Sequence, residues 1–464
     1  MPDPAHHAGL ADGARAIVGQ LQQAGFLAYW AGGCVRDHLL GRPAKDYDIA
    51  TQARPDEVLK LFPASHAVGR AFGVILVHQD GHTYEVATFR RDLGYPDGRH
   101  PEAVVFTGPE EDAGRRDFTI NGLFYDPLSG QILDFVGGRA DLAARTIRAI
   151  GDPASRFAED YLRMLRAVRF AATLGFSLDP ATAEAIRTHA DCLRALSAER
   201  IQGELIRLLT ESEHPGQALD LLNRTGQLAV ILPEVAALQG VAQPPEYHPE
   251  GDVYQHTVNV LDQLTQPSAT LALACLLHDV GKPATQQRVP TAGGGERIRF
   301  DRHAEVGAEM AEQILQRLRC SRKLTDQVVL CVRQHMRFME VTRMRRSTLR
   351  RLVMSPTFGT ELELHRADCL GSHGHLDHYE FVKQFAESIR EESLKPAPWL
   401  TGHDVLAAGV PAGSEIRYWL DKAYDLQLEG RLRSRPEALA WLTRERPPGT
   451  ARHSNGRPPD READ

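Results

Sequence analysis

The 464-residue chain lacks several features that would assign it to common protein classes. No apolar run reaches the ~18 residues that a membrane span needs, so we expect no membrane partner. The first residues, MPDPAHHAGLADGARA, have neither the basic start nor the apolar core of a secretory signal. The six cysteines form no CxxC pair, which argues against a disulfide framework or a cysteine zinc site. These absences predict a cytoplasmic protein in a reducing compartment.

The net charge of −7 gives no overall attraction to nucleic acid. A local basic surface is nevertheless enough to neutralise phosphates. Two segments could supply one: the arginine-rich segment 139–169, and segment 317–351 with eleven Arg or Lys against two acidic residues. Solvated helix faces are the other reading of both segments.

The pattern along the chain changes near residue 150. Before it, short β-rich runs alternate with helical stretches, including a hairpin over 66–90 and a loop over 91–116. After it, helical periodicity runs over 155–235 and again over 253–390, broken by a polar Gly-rich loop at 290–296. We predict an α+β head over 1–145, a helical neck over 146–238, a helical body over 239–395, a small tail over 396–445 and a disordered end over 446–464.

Two carboxylates suggest a metal site in the head. Asp46 and Asp48 stand one residue apart in KDYDIAT, a predicted strand, so both should lie on one face. Glu85, on the predicted strand EVATF, is a third candidate. Adjacent carboxylates repel each other unless a cation lies between them, and oxygen ligands suit Mg²⁺. The three residues therefore predict a magnesium-dependent catalytic site acting on phosphates.

A pair of glycines suggests a phosphate site nearby. Gly32 and Gly33 follow a predicted strand and precede a predicted helix that carries Arg36. Glycines allow close backbone approach, helix N–H groups point at the anion, and arginine adds a bidentate contact. A tight turn and an Arg36–Asp37 ion pair are the simpler alternatives.

The order GGCVRDHLLGRPAKDYDIA resembles the head of the bacterial CCA-adding enzyme and poly(A) polymerase family, a branch of the polymerase-β-like nucleotidyltransferases. RRDFTIN (115–121), AEDYLRMLRAVRFAATLGF (158–176) and SAERIQGELIRLL (197–209) resemble its ribose, nucleotide-selecting and neck motifs. The likeness covers about residues 26–445. It implies a polymerase-β-like head, an all-helical RNA-binding neck and an HD-domain body.

The resemblance also implies residue roles. Gly33 and Arg36 would bind nucleotide phosphates, and Asp46 and Asp48 would hold the metals. In the ribose motif, Arg116, Asp117 and Asn121 would contact the nucleotide. In the selecting motif, Asp160 and Arg163 would present their edges to the base, with Arg166 and Arg169 in support. On an ideal helix Asp160 and Arg169 point to opposite sides, so Arg169 could instead be structural.

The implied reaction is the addition of CTP and ATP to the 3′ end of tRNA. The segment after TFR (88–90) resembles the flexible loop of CCA-adding enzymes, with Tyr95, Asp97, Gly98, Arg99 and Pro101. Its presence disfavours a CC-only enzyme and favours CCA addition. Poly(A) polymerase and A-only activity remain alternatives, and the oligomeric state stays open.

A second metal site is expected in the body. His278-Asp279, with His256 upstream and Asp368 downstream, resembles the H…HD…D arrangement of HD-domain phosphohydrolases. Imidazole and carboxylate together suit several divalent metals. His303 and His335 fall where some HD domains hold a second metal. The resemblance implies phosphatase or 2′,3′-cyclic phosphodiesterase activity. A phosphohydrolase with a nucleotide-binding head, or an RNA-binding scaffold, are the rival readings.

Overall fold

The computed structural model describes residues 4–69, 72–94, 102–244, 250–290, 296–389 and 396–445. The chain forms two compact units. One comprises the chain up to Arg333 together with Ala367–Gly374, and the other comprises Gln334–Arg366 and the chain from His375 onward. The predicted boundaries at 145, 238 and 395 stay predictions, and the predicted disordered end 446–464 lies outside the described residues.

A mixed sheet in the first unit has the strand order β3-β4-β5-β2-β1-β8-β9. Two-stranded sheets are formed by β6 with β7, β10 with β11, and β12 with β13. The strands are β1 Ala28–Ala31, β2 Asp48–Thr51, β3 His66–Gly69, β4 Val74–Gln79, β5 His82–Thr88, β6 Arg90–Leu93, β7 Ala103–Phe106, β8 Leu123–Tyr125, β9 Ile132–Asp134, β10 Thr146–Ile147, β11 Ser177–Leu178, β12 Gln286–Pro290 and β13 Glu296–Phe300.

Helices make up most of the rest of the described chain. The α-helices are α1 Pro4–Gln23, α2 Gly33–Leu39, α3 Pro55–Leu61, α4 Pro109–Gly114, α5 Gly138–Ala143, α6 Pro153–Glu159, α7 Leu162–Leu174, α8 Pro180–His189, α9 Ala198–Glu211, α10 Pro215–Arg224, α11 Gln227–Ile231, α12 Pro233–Ala236, α13 Val253–Asp262, α14 Ala269–Leu277, α15 Lys282–Thr285, α16 His303–Arg317, α17 Arg322–Gln334, α18 Arg346–Val353, α19 Phe358–Gly371, α20 Asp377–Ser388, α21 Gly402–Ala407, α22 Ser414–Leu428 and α23 Arg435–Glu445. The 3-10 helices are Thr119–Asn121, Ala190–Ala195 and His335–Arg343.

The head is held together by burial of α1 against the sheet. Ile17 and Leu21 of α1 belong to one fully buried cluster with Ile75, Val77 and Val86 of the central strands. Each such side chain contributes roughly 1.5–3 kcal/mol on leaving water. The core thereby fixes β1, β2 and β5 relative to one another.

Strand register brings the glycine pair beside the carboxylates. β1 pairs antiparallel with β2 so that Ala31, the last residue of β1, lies opposite Asp48, the first residue of β2. β2 then pairs parallel with β5, with Ile49 opposite Val86. The turn that follows β1 and the segment that precedes β2 therefore lie at the same edge of the sheet.

Three sequence predictions of local structure are wrong. The predicted loop over 91–116 contains strands β6 and β7 and helix α4. The sequence FTINGLFYDP (118–127) predicts one strand, but Thr119–Asn121 form a 3-10 helix and the strand covers only Leu123–Tyr125. The body is not all-helical, because β12 and β13 form an antiparallel ribbon on either side of the predicted loop at 290–296. Both ribbons are short, and none of their residues is fully buried, so neither has the apolar face by which a strand is recognised from sequence.

The second unit has cores of its own. One cluster includes Phe338, Leu349, Leu352 and Val382. Another joins α21, α22 and α23 through residues such as Trp419 and Trp441. Within the described residues, no helix is long and apolar enough to cross a membrane.

Candidate active site

The glycine turn after β1 leads directly into a buried arginine. Gly32 has φ 75°, a conformation that side chains rarely adopt, and a Cβ there would lie 2.9 Å from Nη1 of Arg116. Arg36 of α2 is 8% exposed. It donates to Oδ1 of Asn121 at 2.9 Å and pairs with Asp37 at 2.8 Å. Arg36 is therefore held rigidly rather than exposed on a helix face.

Two of the three predicted carboxylates, Asp46 and Asp48, adjoin this turn. Asp48 opens β2, and the β2–β5 register places it beside Glu85 of β5. Asp46 is not on the strand, contrary to the prediction, because β2 begins two residues later. Asp46 and Asp48 nevertheless line the same cavity, whereas Glu85 does not.

The electrostatics of this cluster call for a cation. Burial, followed by the negative charges of Asp46 and Glu85, raises the pKa of Asp48 to about 6, although Arg116 acts in the opposite direction. A carboxylate in that environment is ionised at a cost unless positive charge is added. Oxygen ligands of this kind are those that hard divalent cations take.

The segment 115–121 contributes a network of ion pairs and hydrogen bonds. Arg116 pairs with the buried Asp112 at 3.1 Å. Asp117 pairs with Arg166 at 2.6 Å and accepts from Nδ2 of Asn121 at 3.1 Å. Burial alone would raise the pKa of Asp117, but the charge of Arg166 and these hydrogen bonds lower it to about 2. Asp117 is therefore a stable anion that orients its neighbours.

The nucleotide-selecting motif begins before its helix. Asp160 has an extended backbone, with φ −157°, and α7 starts at Leu162. The helical-phase argument that set Asp160 against Arg169 is therefore wrong, because the two residues do not share one helix. Arg163 is held by Glu159 at 2.5 Å and by the carbonyl of Arg156 at 2.8 Å. Arg169 pairs with Glu204 of α9 at 2.6 Å, and both are buried.

An aromatic ring organises the arginines. The guanidinium groups of Arg36, Arg166 and Arg169 lie 5.1, 5.2 and 4.2 Å from the ring centre of Phe170. Such contacts attract a cation and fix the plane of its guanidinium. Sequence reasoning missed Phe170, because an apolar residue in a helix is ordinarily read as core.

All of these elements converge on one cavity of about 550 Å³. With the exception of Glu85, it contains every head residue predicted for the site. Its lining consists of Gly32, Gly33, Arg36, Asp46, Asp48, Arg115, Arg116, Asp117, Asn121, Asp160, Leu162, Arg163, Arg166, Arg169, Phe170, Arg200 and Arg207. Sequence reasoning missed Arg115, Arg200 and Arg207, although the first lies in RRDFTIN and the other two in the neck motif.

A smaller cavity of about 380 Å³ adjoins the first. The two share Gly33, Arg36 and Asp46. The smaller one adds the exposed residues Arg42 and Lys45. The two cavities thus meet at Asp46, and basic side chains line both of them.

The predicted HD residues also come together. Nε2 of His256 lies 3.0 Å from Asp368 and 3.3 Å from Nε2 of His278, which is 3.2 Å from Asp279. Nδ1 of His278 donates to the carbonyl of Cys275 at 2.8 Å, which leaves Nε2 with its lone pair. Nitrogen and carboxylate acceptors thus face one another, and a divalent metal fits between them.

The two further histidines, His303 and His335, are both buried. Nε2 of His303 lies 3.6 Å from Asp279, while its Nδ1 donates to the carbonyl of Phe300 at 2.8 Å. His335 is buried at the start of a 3-10 helix in the second unit. The role of both as ligands of a second metal stays a prediction. Sequence reasoning missed Lys282, whose Nζ lies 2.6 Å from Asp279 and 2.6 Å from Oε1 of Gln243.

Family models match three parts of the chain. Residues 28–148 match the poly A polymerase head domain. Residues 175–238 match a probable RNA and SrmB-binding site of polymerase A. Residues 253–368 match the HD domain. The matches follow the order expected from the sequence motifs.

Curated relatives that match this chain are CCA-adding enzymes, and the matches cover part of each protein. The CCA-adding enzyme of Geobacillus thermodenitrificans is 47% identical over 221 residues, which is 47% of this chain and 54% of the relative. That of Levilactobacillus brevis is 46% identical over 214 residues, 46% of this chain and 53% of the relative. The chain spans about half the length of the curated relatives it matches.

Solved structures extend the likeness to the whole fold. The Bacillus stearothermophilus CCA-adding enzyme in complex with CTP is 29% identical, with a TM-score of 0.73 over 93% of this chain and 96% of that one. The Thermotoga maritima CCA-adding enzyme complexed with tRNA is 19% identical, with a TM-score of 0.58 over 95% of both chains. The latter likeness concerns the fold alone.

Proposed function

We propose that this chain, parts of which match the poly A polymerase head domain and the HD domain and about half of which is 47% identical to a CCA-adding enzyme, adds CTP and ATP to the 3′ end of tRNA. One observation carries the proposal. Asp46 and Asp48 line one cavity together with Asp160 and Arg163, the two residues that we propose read the base.

The carboxylates fit the metal that such a reaction needs. Asp46 and Asp48 would hold Mg²⁺, with Glu85 as a further negative charge beside Asp48. When bound, the cation neutralises phosphate oxygens and lowers the pKa of the attacking hydroxyl. We base this assignment on the position of Asp46 and Asp48 in the lining of one cavity. Burial first, and then the charges of Asp46 and Glu85, raises the pKa of Asp48, so a cation would stabilise its ionised form.

Other residues of the cavity would hold the triphosphate. Gly32 and Gly33 leave room for an anion at the turn, and Arg36 and Arg116 supply fixed positive charge. The RNA 3′ end would enter the adjoining cavity with Arg42 and Lys45. Its 3′-hydroxyl oxygen would then attack the α-phosphorus in line. The new P–O bond forms as the bond to pyrophosphate breaks, and the hydroxyl proton passes to water.

Selection of the base would rest on Asp160 and Arg163. A carboxylate accepts from the exocyclic amine of cytosine or adenine, and a guanidinium donates to a ring nitrogen. Uracil and guanine present the reverse pattern at these positions. A mismatched base would leave buried polar groups unpaired, which is costly. Arg166 pairs with Asp117, and Arg169 pairs with Glu204. These ion pairs would hold in place the side of the cavity next to the base.

The choice of CCA addition over poly(A) addition rests on the relatives, which are named CCA-adding enzymes. The loop that favours it from sequence, with Tyr95, Asp97, Gly98, Arg99 and Pro101, lies outside the described residues. We further propose a cytoplasmic location, which suits six free cysteines.

The test of nucleotidyl transfer compares wild type with Asp46→Ala. Purified protein is incubated with Mg²⁺, labelled CTP and a tRNA transcript that lacks CCA. We expect incorporation by wild type and a loss of at least about a thousandfold in the variant, because phosphate charge is no longer neutralised. Asp56→Ala, an acidic residue on α3 outside the cavity, is the matched control. Full turnover by Asp46→Ala would refute the metal assignment.

A second activity is favoured by the intact ligand set around His278. We propose that the metal-loaded HD site hydrolyses a terminal phosphate or a 2′,3′-cyclic phosphate. The measurement is phosphate release, or opening of 2′,3′-cyclic AMP, by protein loaded with Mn²⁺ or Ni²⁺, against His278→Ala. Equal rates in wild type and variant would refute the proposal.

A further inference from the structure

The carboxylate of Asp160 is clamped from two directions. Its Oδ2 accepts from Nη2 of Arg200 at 2.6 Å, and its Oδ1 accepts from the backbone N–H of Leu162 at 3.0 Å. The side chains of Arg200 and Asp160 are each 18% exposed. With a donor on each oxygen, the carboxylate cannot turn about its last bond without breaking a charge-assisted hydrogen bond.

Arg200 belongs to a helix face directed at this motif. Arg200 and Glu204 stand four residues apart on α9, so they lie on the same side of the helix. Glu204 holds Arg169 of α7, while Arg200 holds Asp160 ahead of α7. Arg200 also lines the cavity, but Glu204 does not. A residue that served only to stabilise the fold would not have to line the cavity, as Glu204 shows.

We propose that Arg200 is a specificity-determining positioning residue. By holding Oδ2 of Asp160, it fixes the carboxylate edge that meets the exocyclic amine of the incoming base. The inference rests on the proposed function. A fixed carboxylate repels the carbonyl oxygens that uracil and guanine present at the same place. A carboxylate that is free to rotate could turn away, and that penalty on the wrong nucleotides would be lost.

The test measures nucleotide discrimination rather than rate alone. With a tRNA transcript ending at the discriminator base, kcat/KM is determined separately for CTP and UTP. We expect Arg200→Ala to lower the CTP-to-UTP ratio by at least about tenfold, the effect of one hydrogen bond to a charged group. The CTP-to-UTP ratio of Arg200→Lys should lie between those of wild type and Arg200→Ala, because lysine keeps the positive charge but lacks the planar guanidinium group. Arg417→Ala, which removes an exposed arginine of α22, is the matched control.

The possible results separate three explanations. An unchanged CTP-to-UTP ratio in Arg200→Ala overturns the inference, whether or not the overall rate falls, since a structural strut slows both nucleotides alike. If Arg200→Ala does not fold, Arg200→Gln is judged by the same ratio. Wild-type protein that incorporates no nucleotide would instead refute the proposed function, and this inference with it.

Discussion

At the scale of single residues, the site consists of charged groups that hold one another in place. Asp117 is fixed by Arg166, Asn121 links Asp117 to Arg36, and Asp160 is fixed by Arg200. A preorganised site of this kind needs little rearrangement when charge develops in the reaction.

Asp117 yields a prediction about pH. Its folded pKa of about 2 lies below the unfolded value, so its contribution to stability is complete above about pH 5 and declines as pH falls towards 2. We expect Asp117→Asn to destabilise this unit by about 2 kcal/mol at pH 7, and by about half as much at pH 3. Hydrogen exchange of the α7 amides measures this difference. A difference that is the same at both pH values would contradict the role assigned to Arg166.

The sequence indicated which motif residues line the cavity, but it did not indicate which other side chains contact them. Asp46, Asp160 and Arg163 were identified through motif order. Arg200 and Phe170 were missed because their roles depend on the packing of α9 and α7, which no spacing along the chain reveals. Glu85, predicted as a third catalytic carboxylate, lies next to Asp48 in the strand register but does not line the cavity, and its catalytic role stays a prediction.

At the scale of elements, α9 packs against the segment 158–176 and forms ion pairs with it. Its Glu204 forms a buried ion pair with Arg169 of α7. The sequence left the role of Arg169 open between nucleotide contact and structure. The geometry supports both uses, because Arg169 is tied to Glu204 and also lines the cavity.

The α7–α9 ion pair can be tested directly. Glu204→Gln would leave the buried Arg169 without its counter-ion, and we expect a loss of about 3 kcal/mol in the free energy of unfolding. Glu184→Gln breaks the exposed pair with Arg187 and should cost less than about 1 kcal/mol. Urea unfolding of both variants gives the comparison. Equal losses of unfolding free energy in the two variants would show that the buried Arg169–Glu204 pair stabilises the fold no more than an exposed pair does.

Elements with strong periodicity were predicted well, and exposed ones poorly. The sheet strands around β4 and β5 and the helices of the neck follow their apolar patterns. The ribbon β6–β7 was predicted as loop and β12–β13 as part of a helical body around a loop, because strands without a fully buried face leave no apolar pattern in the sequence. Asp46 was placed on a strand because a period-two argument cannot locate the strand's first residue.

At the scale of the whole molecule, the chain carries two separate constellations of candidate metal ligands. One surrounds Asp48 in the head, and the other surrounds His278 in the HD segment. They share no residue. The order of the family models follows the order of motifs in the sequence, but short motifs could not define where one domain ends and the next begins.

The separation of the two constellations predicts independent activities. His278→Ala should abolish metal binding at the HD site and leave CTP addition within about twofold of wild type, because distant sites act additively. The measurement pairs metal content with incorporation of labelled CTP. A large loss of incorporation at unchanged stability would show that the two sites are coupled.

The central claim is the addition of CCA, and sequencing of RNA 3′ ends tests it most directly. Three tRNA transcripts ending at the discriminator base, at C and at CC are incubated with the protein, Mg²⁺, CTP and ATP. We predict that all three are completed to CCA and then extended no further. Long A tails with little C would contradict the claim and identify a poly(A) polymerase.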